Sequence, residues 1–234
     1  MAPGRVVIGA APASVASDRN LPRGCTSLFL FLISLAFISF EAAAVGGSAD
    51  LQTDTERTEV DGDWPYHGLT PLEDRFSPIA QIDRESVGKL GLAWSYATGS
   101  DRGLEATPLV IDGIFYATAS WSIVFALDAK TGREIWRHDP KVPGWKARHA
   151  CCGVVNRGVA HQDGRIYVGT IDGRLIALDA KNGALIWSVQ TTNPGLPLTI
   201  TAAPRIVKNL VLIGNGGAEF GVRGDFSAHD PRAG

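Results

Sequence analysis

The chain has 234 residues, of which 45% are hydrophobic and 20% charged, and a formal net charge of -2. This is ordinary globular composition for one or two domains, with no basic stripe of a nucleic-acid surface and no acidic block of a disordered tail. The 27 glycines, the single methionine and the short apolar runs favour an all-β chain.

Arg5, Arg19 and Arg23 precede an apolar run from Leu28 to Phe40 that only Ser34 and Ser39 interrupt, and Ala42-Ala43-Ala44 follows it. A charged leader, an apolar stretch and small residues at a cleavage point are the layout of a secretory signal peptide. Residues 1–44 are therefore expected to be removed on export, leaving 45–234. The rival reading is an uncleaved anchor, but the run is shorter than the roughly 20 apolar residues a span requires. Cys25 leaves with the leader, so the mature chain holds only Cys151 and Cys152. Export places both in an oxidising compartment, where a disulfide persists.

The rest of the chain repeats itself. Phe125-Ala-Leu-Asp-Ala-Lys-Thr-Gly132 leads to Trp136, and Ile176-Ala-Leu-Asp-Ala-Lys-Asn-Gly183 leads to Trp187. The aspartates Asp128, Asp179 and Asp230 stand 51 residues apart, as do the glycines Gly132, Gly183 and Gly234. A period in this range marks a solenoid or a propeller. Within one unit, Arg165–Thr170 reads as a strand and Asp172-Gly173 as a two-residue hairpin turn. Leu175–Asp179 is the next strand, Lys181-Asn182-Gly183 the next turn, and Leu185–Trp187 opens another strand. Turns recur too often for helices, and four short strands fill one propeller blade. The recurrent tryptophan is expected to pack between blades, and Trp94 to belong to a further strand. The reading is an all-β propeller of four-stranded blades, with about three blades between Leu92 and Gly234. Three blades leave apolar faces and a strand edge uncovered, so further blades are expected beyond those present.

Cys151 and Cys152 are the sharpest local feature. Adjacent Cα atoms lie about 3.8 Å apart, below the roughly 4.4–6.8 Å of an ordinary disulfide. The residues alone leave open a strained vicinal bridge, two free buried thiols, or partners in separate bridges. A zinc site with His149 is disfavoured, because neighbouring thiolates rarely both reach one metal.

Arg148-His-Ala-Cys-Cys-Gly-Val-Val-Asn-Arg-Gly-Val-Ala160 resembles the vicinal-disulfide segment of the pyrroloquinoline-quinone (PQQ)-dependent, or quinoprotein, alcohol dehydrogenases. Gly214-Asn-Gly-Gly-Ala-Glu-Phe-Gly-Val-Arg-Gly224 resembles their cofactor and calcium loop. Asp63-Trp64-Pro65, Gly103-Leu-Glu-Ala-Thr-Pro108 and the Trp-ending repeats fall in the same order, so the resemblance covers about residues 60–234. Two positions depart from it: Gly153 stands where many relatives are acidic, and Gly216 where the methanol-oxidising branch tends to carry serine.

The resemblance implies an eight-bladed propeller with PQQ on its axis and Ca²⁺ beside it. It implies a Cys151–Cys152 disulfide as a ledge against the cofactor ring. Glu105 and Arg157 would hold the polar rim, with Arg157 facing a cofactor carboxylate, and Thr201 would donate to another. Gly217 and Ala218 would approach the cofactor closely, and Glu219 would ligate calcium. The implied reaction oxidises an alcohol to an aldehyde or ketone while PQQ is reduced, in the periplasm, with a cytochrome c as electron acceptor. Ca²⁺ would act as a Lewis acid, and the carboxylate base would lie downstream of residue 234. The chain alone is then expected to be inactive. Taken singly, Glu105 and Arg157 read equally as surface charges, Thr201 as a strand residue and Gly214–Gly217 as a turn. Two rivals stand beside the enzyme: a non-catalytic propeller scaffold of outer-membrane protein assembly, which shares the repeat but requires neither adjacent cysteines nor the Ala-Glu loop, and a decayed gene product without function.

Overall fold

The computed structural model describes residues 5–7 and 62–234 of the chain, all within one compact unit. The expected signal peptide, residues 1–44, lies outside the described residues except for Arg5–Val7, which forms a strand (β1) antiparallel to Ser95–Ala97 (β2). No helix among the described residues is long and apolar enough to cross a membrane.

Every other sheet is an antiparallel meander. Leu109–Ile111, Ile114–Thr118, Val124–Asp128 and Glu134–His138 (β3–β6) pair in sequence order. Ala160–Gln162, Arg165–Gly169, Arg174–Asp179 and Leu185–Gln190 (β7–β10) repeat that order. Arg205–Val207, Leu210–Gly214 and Phe226–His229 (β11–β13) form a three-stranded sheet. The expected hairpins are present: Gly173 N–H donates to Thr170 O at 2.8 Å, between β8 and β9. The architecture is all-β, in stacked blades.

The strand patterns follow from the stacking. β5, β8 and β9 are buried along almost their whole length, because sheets cover both their faces. The fourth strand, β10, alternates between exposed and half-buried residues, as an outer strand does. One core cluster joins Tyr116, Val124 and Trp136 to Ile166, Val168 and Ile176 of the next blade. A second joins Tyr167, Leu175 and Ala177 to Val211 and Ile213. A third sets Phe115 and Phe125 against Trp94 and Tyr96.

The 51-residue signature is a docking device between sheets. Asp128 Oδ1 accepts from the backbone N–H and hydroxyl of Thr131, both at 2.7 Å, and Gly132 N–H closes the turn onto Asp128 O at 2.8 Å. Asp179 and Asp230 build the same turn, with Gly183 and Gly234 closing it. Onto each turn packs the tryptophan of the preceding sheet. Trp94 Nε1 donates to Ala129 O at 3.0 Å, Trp136 Nε1 to Ala180 O at 2.9 Å, and Trp187 Nε1 to Pro231 O at 3.2 Å. The glycine is required twice over. Gly183 has φ +71°, and a Cβ there would meet Trp136 Cε3 at 2.5 Å.

Candidate cofactor site

Glu105, Arg157 and Thr201 each lie in the chain just before the first strand of a sheet, β3, β7 and β11 respectively, whereas Gly217–Glu219 lie between β12 and β13. Thr107 bridges Gly158 in parallel, with Thr107 N–H donating to Arg157 O at 3.2 Å. Arg157 N–H in turn donates to Thr201 O at 2.9 Å. These backbone links carry Glu105, Arg157 and Thr201 to one place. Arg157 Nη2 lies 2.8 Å from Glu105 Oε2, and Arg157 Nη1 donates to Thr201 Oγ1 at 2.6 Å. The ion pair is open to solvent: the Arg157 side chain is 43% exposed and that of Glu105 41%. Such an exposed pair contributes little stability. The preceding Asn156 is buried and holds the turn, donating to Gly169 O at 2.8 Å and accepting from Gly158 N–H at 3.0 Å.

Cys151 and Cys152 follow a short 3₁₀ segment, Gly144–His149, and both are exposed. Their sulfurs are 2.7 Å apart and unbridged in this structure. A bridge requires closure to about 2.05 Å. The turn is pinned on both sides. Gly153 N–H donates to Ala150 O at 3.3 Å, and Val154 O accepts from Trp121 N–H at 2.8 Å. Trp121 and Ser122 both hold positive φ, +66° and +58°, and the Ser122 hydroxyl accepts from Ile171 N–H at 3.2 Å. Non-glycine residues in this region are strained unless their surroundings hold them there, as these do.

The Gly214–Gly224 loop completes the set. Gly216 N–H donates to Thr199 O at 2.8 Å, tying the loop to the segment that carries Thr201. Gly217 has φ +138°, and a Cβ on it would lie 2.6 Å from Pro197 O. Ala218–Phe220 forms a 3₁₀ turn that brings Glu219 to the Cys151 thiol. Hydrogen bonding to Cys152, then to Glu219, pushes the Cys151 thiol up to about 11. His149 meets Trp145 edge to face at 5.9 Å and lies tilted against Phe220 at 6.0 Å between ring centroids. Desolvation holds its imidazole below the ordinary range, and the charges of Lys146 and Arg148 add to that.

All the expected residues therefore fall into two linked groups. Glu105, Arg157 and Thr201 form one; Cys151, Cys152 and Glu219 form the other, with Gly217 and Ala218 directly before Glu219 in the chain. The described residues contain no cluster of three metal-ligating side chains around Glu219 or elsewhere. Neither of two cavities of about 350 Å³, one beside His67 and His161 and one beside Trp121 and Asp139, is lined by these residues. The site is an open face. Sequence reasoning passed over Lys146 and the Trp121–Ser122 kink, for neither carries a signal in composition or spacing.

Residues 64–234 match the family model described as "PQQ: Glucose/ethanol/alcohol dehydrogenase, beta-propeller domain". The chain belongs to this family. It is 54% identical over 192 residues to the quinohemoprotein alcohol dehydrogenase ADH IIB of Pseudomonas putida, covering 82% of this chain and 28% of that protein. It is 49% identical over 191 residues to the 1-butanol dehydrogenase (cytochrome c) of Thauera butanivorans, covering 81% of this chain and 28% of that one. Among solved structures, the quinohemoprotein alcohol dehydrogenase ADHIIG of Pseudomonas putida HK5 superimposes with a TM-score of 0.73 at 53% identity, over 74% of this chain and 25% of that one. A europium-containing methanol dehydrogenase does so with a TM-score of 0.70 at 39% identity, over 73% and 30%. These likenesses identify the stacked sheets as propeller blades. The chain spans about 28% of the length of the curated relatives it matches.

Proposed function

We propose that this chain forms the N-terminal wall of a PQQ site in an enzyme that oxidises alcohols to aldehydes or ketones. The observation that carries the reading is the convergence of Arg157, Glu105 and Thr201 on one open face, in a chain whose neighbouring loop places Glu219 against an exposed cysteine pair. A planar tricarboxylate fits these residues. The Arg157 guanidinium, already aligned by Glu105, pairs with a carboxylate, and Thr201 donates to another. In an oxidising compartment, loss of two electrons and two protons to a disulfide-generating oxidant would join Cys151 and Cys152 in a vicinal disulfide, a rigid apolar ledge. Glu219 is the chain's contribution to calcium, a hard ion that takes 6–8 oxygens, so further ligands come from other blades. When bound, PQQ accepts the hydride equivalent of the alcohol. The residues described here bind and orient it, and none of them is assigned as the base.

The names of the relatives support an alcohol as substrate, and that of the Thauera butanivorans enzyme supports a cytochrome c as electron acceptor. Export to the periplasm through residues 1–44 accords with both. The non-catalytic scaffold has no use for the Arg157 cluster or the cysteine pair, and nothing in the site favours it.

The test is dye-linked alcohol oxidation with added PQQ and Ca²⁺, comparing the protein expressed from its complete reading frame with the 234-residue chain alone. Turnover by the first and none by the second is expected. An inactive first protein with PQQ bound, or an active 234-residue chain, contradicts the reading.

A further inference from the structure

Lys146 is only 1% exposed, although lysine is among the residues least often buried. Its ammonium donates to Leu198 O at 3.0 Å and to Leu196 O at 3.4 Å, and lies 5.4 Å from the Trp145 ring. No carboxylate forms an ion pair with it among the described residues. Asp172 acts only through its field, and desolvation pulls the amine below its ordinary range. A buried cation without a counter-ion is a poor device for stability, so its geometry must account for it.

That geometry joins the two walls of the site. Lys146 sits in the Gly144–His149 segment that runs into Cys151–Cys152. Its acceptors, Leu196 and Leu198, flank Pro197, whose carbonyl lies 2.6 Å from where a Cβ on Gly217 would stand, with Leu198 Cδ2 3.3 Å from the same point. Thr199 then pairs with Gly216, and Thr201 receives Arg157. Residues 196–201 are thus a spine that backs both the cofactor loop and the arginine cluster. Among the described residues, Lys146 alone makes side-chain hydrogen bonds, two of them, between that spine and the segment that leads into the cysteines.

We infer that Lys146 is a positioning residue: its ammonium locks the approach to the Cys151–Cys152 ledge onto the 196–198 spine, so that ledge and Gly217 loop keep the spacing a flat cofactor needs. The inference rests on the PQQ reading above. Two donated bonds to main-chain carbonyls fix one separation, whereas an apolar side chain of similar length fills the space without fixing it. Lys146 has no role in the reaction itself.

The experiment is a titration of PQQ, followed by quenching of tryptophan fluorescence, on the apoprotein expressed from its complete reading frame. K146M is expected to weaken PQQ at least tenfold, while the KM for alcohol in PQQ-saturated enzyme stays within twofold of wild type. K146Q keeps a donor on a chain too short to reach both carbonyls, and is expected to weaken PQQ at least threefold; it decides the matter if near-UV circular dichroism shows K146M unfolded. PQQ affinities of the folded variants within twofold of wild type overturn the positioning role and leave the cofactor reading standing. Failure of the wild-type protein to bind PQQ overturns the cofactor reading, and this inference with it.

Discussion

The indole nitrogen of Trp136 donates to the carbonyl of Ala180, 2.9 Å away in the next blade, while the Trp136 ring covers the place where Gly183 would carry a side chain. Trp94 with Ala129 and Trp187 with Pro231 repeat the bond. Neighbouring blades are thus joined by a hydrogen bond as well as by apolar contact, and Tyr116 strengthens the same joint by donating to Ala180 O at 3.1 Å.

Replacing either partner breaks that joint. Trp136 is 7% exposed, so Trp136→Ala is expected to destabilise by about 3–5 kcal/mol. Gly183→Ala places a Cβ in the left-handed region, at about 1–2 kcal/mol before any clash, and drives it into the indole. Urea unfolding of the two variants and of the double variant checks the coupling. The combined loss should fall well short of the sum, because both substitutions damage one contact.

The second prediction concerns pH. In the reduced protein the Cys151 thiol, held up near 11 by Cys152 and by Glu219, is protonated at neutral pH. Its folded value is raised, so the reactive thiolate appears only as pH climbs toward that value. Iodoacetamide labelling of Cys151, followed by tandem mass spectrometry, is expected to be slower at pH 8 than for a free cysteine and still rising at pH 10. Glu219→Gln removes a nearby negative charge and is expected to shift the profile to lower pH. A plateau by pH 9 in the parent protein contradicts the assigned surroundings.

Much of this was readable from residue order, for a physical reason. A blade is closed by one turn and one docking tryptophan, both of which need particular residues, so Asp128, Gly132 and Trp136 recur with their period. Trp94, expected on a further strand, immediately precedes β2. The site residues Glu105, Arg157 and Thr201 were legible only through family resemblance. Nothing in local spacing shows that residues so far apart in sequence share one guanidinium. Lys146 was illegible, because a lysine in sequence reads as a solvated charge and only packing reveals two main-chain acceptors beneath it. The positive φ of Trp121 and Ser122 was hidden for a like reason, since neither residue type announces it. The pairing of Arg5–Val7 with β2 was likewise absent from the reading of that segment as a leader.

The central claim is that this face holds PQQ through Arg157. It is tested most directly by calorimetric titration of PQQ, with Ca²⁺ present, into the apoprotein from the complete reading frame and into its Arg157→Met variant. The account predicts one PQQ per chain for the parent protein and at least a tenfold loss of affinity for the variant, which forfeits a charge-assisted pair of about 1.5–3 kcal/mol. No binding to the parent protein, or equal binding to both, contradicts it.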